Sequence, residues 1–109
     1  MSITQSRMEA ALSYLAQTDS EIAEAKVTML RSEYLAKLKE AFNFKTADGS
    51  VEERKAIAKT DPEAQEAWNK HYVAVADYEK LRAKRERAVL TIDLFRTLEA
   101  SRRQGGQVT

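Results

Sequence analysis

The chain has no cysteine, a single histidine, one proline and three glycines among its 109 residues. The first absence excludes disulfides, thiolate zinc sites and cysteine nucleophiles, and suits a reducing cytoplasm. One histidine, His71, with no Glu-x-x-His spacing beside it, leaves neither a di-iron bundle site nor a histidine zinc site within one copy. So few glycines and prolines cannot supply the frequent turns of an all-β fold. No apolar run approaches the ~20 residues that span a bilayer, and the opening Met1 to Ala10 lacks a signal-peptide core. A soluble, non-exported protein with no membrane contact is expected, with no cofactor.

What remains is helix former. Charged side chains make up 32% of the chain, 18 basic against 17 acidic, so the formal balance is only +1. That balance disfavours wholesale coating of nucleic acid, which calls for a far more basic chain. The stretch from Asp61 to Arg103 is 43 residues with its only proline at the second position and no glycine. It predicts one very long helix over about 62–103, started by Asp61-Pro62 and ended by Gly105-Gly106. Gln104 to Thr109 then forms a flexible tail.

Upstream, a long helix is predicted over about 5–44, with Ser2, Thr4 and Ser6 as candidate caps. Its clearest apolar stripe is Leu12, Ala16, Asp19, Ala23, Val27, Leu30, Tyr34, Leu38 and Ala41, close to the natural 3.6 period, so little supercoil is expected. Asp48-Gly49 supplies a turn, and Ser50 with Glu53 three residues on has the spacing of a capping box. A short helix over about 51–59 follows, held by Val51, Ile57 and alanines. In the last helix Trp68, Tyr72, Val75, Tyr78, Leu81, Ala88, Ile92 and Phe95 share one face, with Arg85 the single charge on it.

Charge along the chain predicts how the long helices meet. Residues 1–25 carry net −3, 26–59 net +3, 60–79 net −4 and 80–109 net +5. Folding back at Asp48-Gly49 sets opposite signs side by side, whereas a parallel arrangement aligns like with like. The expected fold is all-α: one domain over 1–103, a long antiparallel helical hairpin with a short connecting helix and arms of ~60 Å. Leu30 and Ile92 are both expected on the shared seam. Asp19 and Arg85 interrupt the two stripes at matching heights, so they form a candidate register pair. The apolar surface exceeds what one hairpin can cover. Leu90, Leu94, Leu98, Leu35 and Phe42 are therefore candidate self-association residues, with a four-helix dimer favoured.

Catalytic parts are missing. His71 reads as a half-buried neighbour of Trp68 or Tyr72, and the pairs Glu63 with Glu66 and Glu52 with Glu53 sit in first turns, where they favour the helix dipole. No glycine-rich phosphate loop and no serine with a plausible base is present, so an enzyme is not expected. One basic patch stands out: Lys80, Arg82, Lys84, Arg85 and Arg87, continued by Arg96, Arg102 and Arg103. Lys80, Lys84, Arg87, Arg96, Arg102 and Arg103 are its candidate contacts to nucleic acid or a partner.

Three segments carry a family resemblance: Ser50-Val51-Glu52-Glu53-Arg54-Lys55-Ala56; Tyr78-Glu79-Lys80-Leu81-Arg82 with Arg85 and Ala88; and Phe95-Arg96 with Ala100, Arg102 and Arg103. They cover about half of the chain. On them it resembles a family of small helical proteins encoded by tailed bacteriophages and prophages, often near recombination or replication genes. The resemblance implies a phage protein of the host cytoplasm and transfers no functional residues. The resulting expectation is a non-enzymatic accessory protein that assists phage DNA metabolism through contact with a recombinase, a single-strand-binding protein or a host factor. Direct nucleic-acid binding and a virion assembly role are the alternatives.

Overall fold

The computed structural model describes residues 4–108, and side chains of residues 4–105. It contains three helices and, among the described residues, no strand: α1 (Gln5–Thr46), α2 (Val51–Thr60) and α3 (Pro62–Val108). Thr4 caps α1, its hydroxyl accepting from the Arg7 amide at 3.2 Å; Ser2 lies outside the described residues. Between α1 and α2, Gly49 takes φ +113°, a conformation that side-chain-bearing residues rarely adopt. A Cβ there would also meet the Glu53 carboxylate at 2.5 Å. Ser50 Oγ then accepts from the Glu53 amide at 3.2 Å. Asp61 serves two helices at once: its amide donates to the Ile57 carbonyl at 3.1 Å, and its carboxylate accepts from the Ala64 amide at 3.0 Å. One residue thus ends α2 and begins α3.

The last helix does not stop near Arg103. It continues to Val108, through Gly105. Glycine weakens a helix by ~1 kcal/mol but stops it only where the backbone swings to positive φ, as Gly49 does and Gly105 does not.

The described chain divides into two compact units, one built from residues up to Ile22 and from Lys80 onward, the other from Ala23–Glu79. The outer two charge blocks thus fall mainly in one unit and the inner two in the other. Within each unit the segments of α1 and α3 lie antiparallel, as in a helical hairpin. In the first, residues 15–19 meet Arg85 and Ala11 clusters with Ala88 and Ile92. In the second, Met29 and Ser32 meet His71, and Lys39 meets Glu63.

The face that packs is not the one the large side chains mark. On α1 a regular line of buried and half-buried positions runs through Met8, Ala11, Leu15, Thr18 and Ile22 in the first unit and Ala25, Met29, Ser32 and Ala36 in the second, with half-buried Tyr14 and Glu33 beside it. The positions of that line step alternately by three and four, a period of 3.5, that of a coiled-coil seam. On α3 the matching positions are Leu81, Arg85, Ala88, Ile92 and Phe95, and Ala64, Ala67, His71, Ala74 and Tyr78. Of the stripe expected on α1, Leu12, Val27, Leu30, Tyr34 and Leu38 are all exposed, so Leu30 is not the seam residue expected in the second unit, whereas Ile92 is buried in the first as expected. The physical reason is close approach: Ala11, Thr18, Ala25 and Ser32 recur every seven residues, and small side chains let helix axes come nearer than leucines do. On α3 the expected face is right from Tyr78 to Phe95, but Tyr72 is exposed.

The second unit also holds α2. Its apolar contact comes from buried Ala58, while Val51 and Ile57 are exposed. Arg54 anchors it, donating from Nε to the Phe44 carbonyl at 3.1 Å with its guanidinium 4.3 Å from the Phe44 ring centroid.

Candidate interaction surfaces

In the first unit Arg85 is the one charged group in the middle of the seam. Nη1 donates to the Leu15 carbonyl at 2.9 Å and to the Thr18 hydroxyl, while Nη2 donates to Asp19 Oδ1 at 2.7 Å. Thr18 passes its own hydrogen to the Tyr14 carbonyl at 2.7 Å, so its oxygen is free to accept. The structure therefore brings Asp19 and Arg85 together, and adds two partners that helix spacing alone did not reveal.

The second unit has its own polar layer. His71 Nδ1 lies 3.1 Å from both Ser32 Oγ and the Met29 carbonyl, and the Ser32 hydroxyl also donates to that carbonyl at 2.9 Å. Beside it on α3, the rings of Trp68 and Tyr72 stack, each 5.8 Å from the imidazole, and Trp68 Nε1 donates to Glu40. His71 is thus the half-buried neighbour of both aromatics, held across the seam as well. Lys39 Nζ reaches Glu63 at 2.7 Å, and that carboxylate, helped by Asp61, holds the ammonium above the ordinary lysine value.

Of the ion pairs described, only Arg85 with Asp19 and Lys39 with Glu63 cross between helices; the others join residues three or four apart on one helix. In the basic patch, Arg82 pairs with Glu86, Arg102 with Glu99 and Arg85 with Asp19. Lys80, Lys84, Arg87, Arg96 and Arg103 are exposed and make no ion pair among the described residues. They do not form one patch. At ~100° per residue, Lys80, Lys84 and Arg87 share one side of α3, while Arg96 and Arg103 lie roughly 150° away around the same helix.

The larger surface is apolar. Leu90, Leu94 and Leu98 in the first unit and Leu35 and Phe42 in the second are all exposed, together with Val27, Leu30, Tyr34 and Leu38. Sequence reasoning placed those last four inside the hairpin. The seven-residue recurrence of small residues on α1 was the signal that could have freed them for the surface.

Among the described residues no three His, Cys, Asp or Glu side chains converge as a metal site requires, and no helix is long and apolar enough to cross a membrane. Comparison with known proteins finds no matching family model, no similar curated protein and no similar solved structure.

Proposed function

We propose that this chain is a non-enzymatic interaction protein that works by association through exposed helix faces, first with its own copies. One observation carries the proposal. Among the described residues the fully buried apolar side chains are six alanines and Ile92, while fifteen large apolar side chains stand exposed. Alanines bury little area, and a folded unit with so thin a core gains most of its remaining stabilisation from whatever covers the exposed faces. Light scattering coupled to size exclusion tests this. A mass of at least twice 12.3 kDa at micromolar concentration is expected. A monomer that unfolds cooperatively at those concentrations would overturn it.

The resemblance to phage-encoded helical proteins at Ser50 to Ala56, Tyr78 to Ala88 and Phe95 to Arg103 supports a narrower role, that of an accessory to DNA recombination or replication in the host cytoplasm, acting through protein partners. Titration of the purified chain against a purified phage recombinase and single-strand-binding protein tests that role, and absence of binding to both removes it. Direct nucleic-acid binding is a second reading, supported by Lys80, Lys84, Arg87, Arg96 and Arg103 of α3, which make no ion pair among the described residues. Their division between two sides of the helix favours contact with separate strands or turns over one continuous groove. A gel shift that weakens steeply with salt and is lost in Arg96→Ala/Arg103→Ala supports it, and no shift at low salt removes it.

A further inference from the structure

We propose that a second copy of this chain packs on the outer face of α1 in the Ala23–Glu79 unit, stripe against stripe and antiparallel, with the twofold axis beside Tyr34. The inference rests on the self-association reading and says which face performs it.

Val27, Leu30, Tyr34 and Leu38 follow one another by three, four and four residues, and each is between 51% and 64% exposed. Leu35 and Phe42 widen the stripe on one side. At ~100° per residue this line lies on the side of α1 opposite Met29, Ser32 and Ala36, which face α3. From Val27 to Phe42 the stripe runs about 22 Å at 1.5 Å per residue. Six side chains of this size from each copy bring together on the order of 1,000 Å², the size at which a specific interface begins.

Charge selects both the occupant and its direction. Glu24 stands ten residues before Tyr34 and Lys45 eleven after; both are exposed, and neither makes an ion pair among the described residues. Antiparallel pairing about Tyr34 sets Glu24 of each copy against Lys45 of the other and moves Arg31 away from its equivalent, to the height of Lys37, whose ammonium Glu33 already holds at 3.1 Å. A parallel pair would instead stack Glu24 on Glu24, Arg31 on Arg31 and Lys45 on Lys45, like sign on like. The stripe is therefore complementary to itself, as an isologous twofold contact requires. Among the described residues the Ala23–Glu79 unit fully buries no apolar side chain larger than the alanines Ala36, Ala58, Ala64 and Ala74, which also calls for an occupant present wherever the chain is folded, and only another copy guarantees one.

The cysteine-free sequence gives a clean test. In the full chain, Tyr34→Cys supplies the only thiol, and under mild oxidation it is expected to form a disulfide-linked dimer in most molecules. Leu94→Cys on α3 is expected to remain largely unlinked. Glu24→Lys and Lys45→Glu, both at exposed positions, each raise the dimer dissociation constant roughly tenfold, and the double exchange returns it to within about threefold of the parent. A wild-type monomer by light scattering overturns the self-association reading and this inference with it. A wild-type dimer in which Tyr34→Cys stays unlinked and the charge exchanges change nothing overturns this inference alone and leaves the broader reading standing.

Discussion

Arg85 grips Asp19 from the opposite helix at 2.7 Å, and the same guanidinium holds the Leu15 carbonyl and the Thr18 hydroxyl. Arg85 is largely enclosed, whereas Asp19 is mostly in water. The exposed half of such a pair contributes little, while the enclosed half makes three hydrogen bonds across the seam, all lost on truncation. Arg85→Ala is therefore expected to lower stability by about 2 kcal/mol and Asp19→Ala by less than about 1 kcal/mol. A double-mutant cycle in urea checks this: part of the Asp19→Ala loss disappears in the Arg85→Ala background, and full additivity would mean the two groups do not interact.

The small-residue seam makes its own demand. Ala36 is fully buried and Val73 is 61% exposed, although valine is the more apolar residue. Ala36→Leu should push the helices apart and destabilise by about 1–3 kcal/mol, whereas Val73→Ala should stay within about 0.5 kcal/mol. Denaturation midpoints compare them. The reverse order would return the seam to the large-residue stripe.

The contacts of His71 predict its tautomer. The Met29 carbonyl can only accept, so a bond at 3.1 Å requires that Nδ1 carry the hydrogen. Ser32 gives its own hydrogen to the same carbonyl and so presents only lone pairs to the ring. Nitrogen-15 shifts of the neutral imidazole are expected to show a protonated Nδ1 and a bare Nε2. The opposite pattern would mean the cross-seam bond is not formed.

Lys39 gives an alkaline signature. Its ammonium is held above the ordinary value of 10.5 by its hydrogen bond to Glu63 and by the charges of Glu63 and Asp61. A raised folded-state value favours the protonated form on folding. Its contribution is therefore fully present below the ordinary lysine value and is lost as pH climbs through the raised one. Urea midpoints of the parent and Lys39→Met should differ at about pH 9 and converge towards about pH 12. A gap that does not narrow would show that the Lys39 contribution is not electrostatic.

Local signals were legible because they act over a few residues. Ser50, Gly49 and Asp61-Pro62 mark helix ends by filling or omitting particular backbone hydrogen bonds, and the helices begin and end where those residues stand. The Asp19 and Arg85 positions could be matched because each breaks an apolar line at the same height. The Leu15 and Thr18 bonds could not, since they depend on where the guanidinium lies across the seam. The helix end past Gly105 was also hidden, because composition cannot report the sign of φ.

By itself the sequence determined an all-helical chain with helix starts at Thr4, Ser50 and Asp61 and a turn at Gly49, and its alternating blocks of charge pointed to antiparallel pairing. Those features follow from backbone hydrogen bonding and from net sign, which need no knowledge of contacts. Only the tertiary structure decided which face of α1 goes inward. Both faces are apolar; in the second unit the small residues Ala25, Ser32 and Ala36 lie inward and Val27, Leu30, Tyr34 and Leu38 outward, the order expected where small side chains let two helices approach closely.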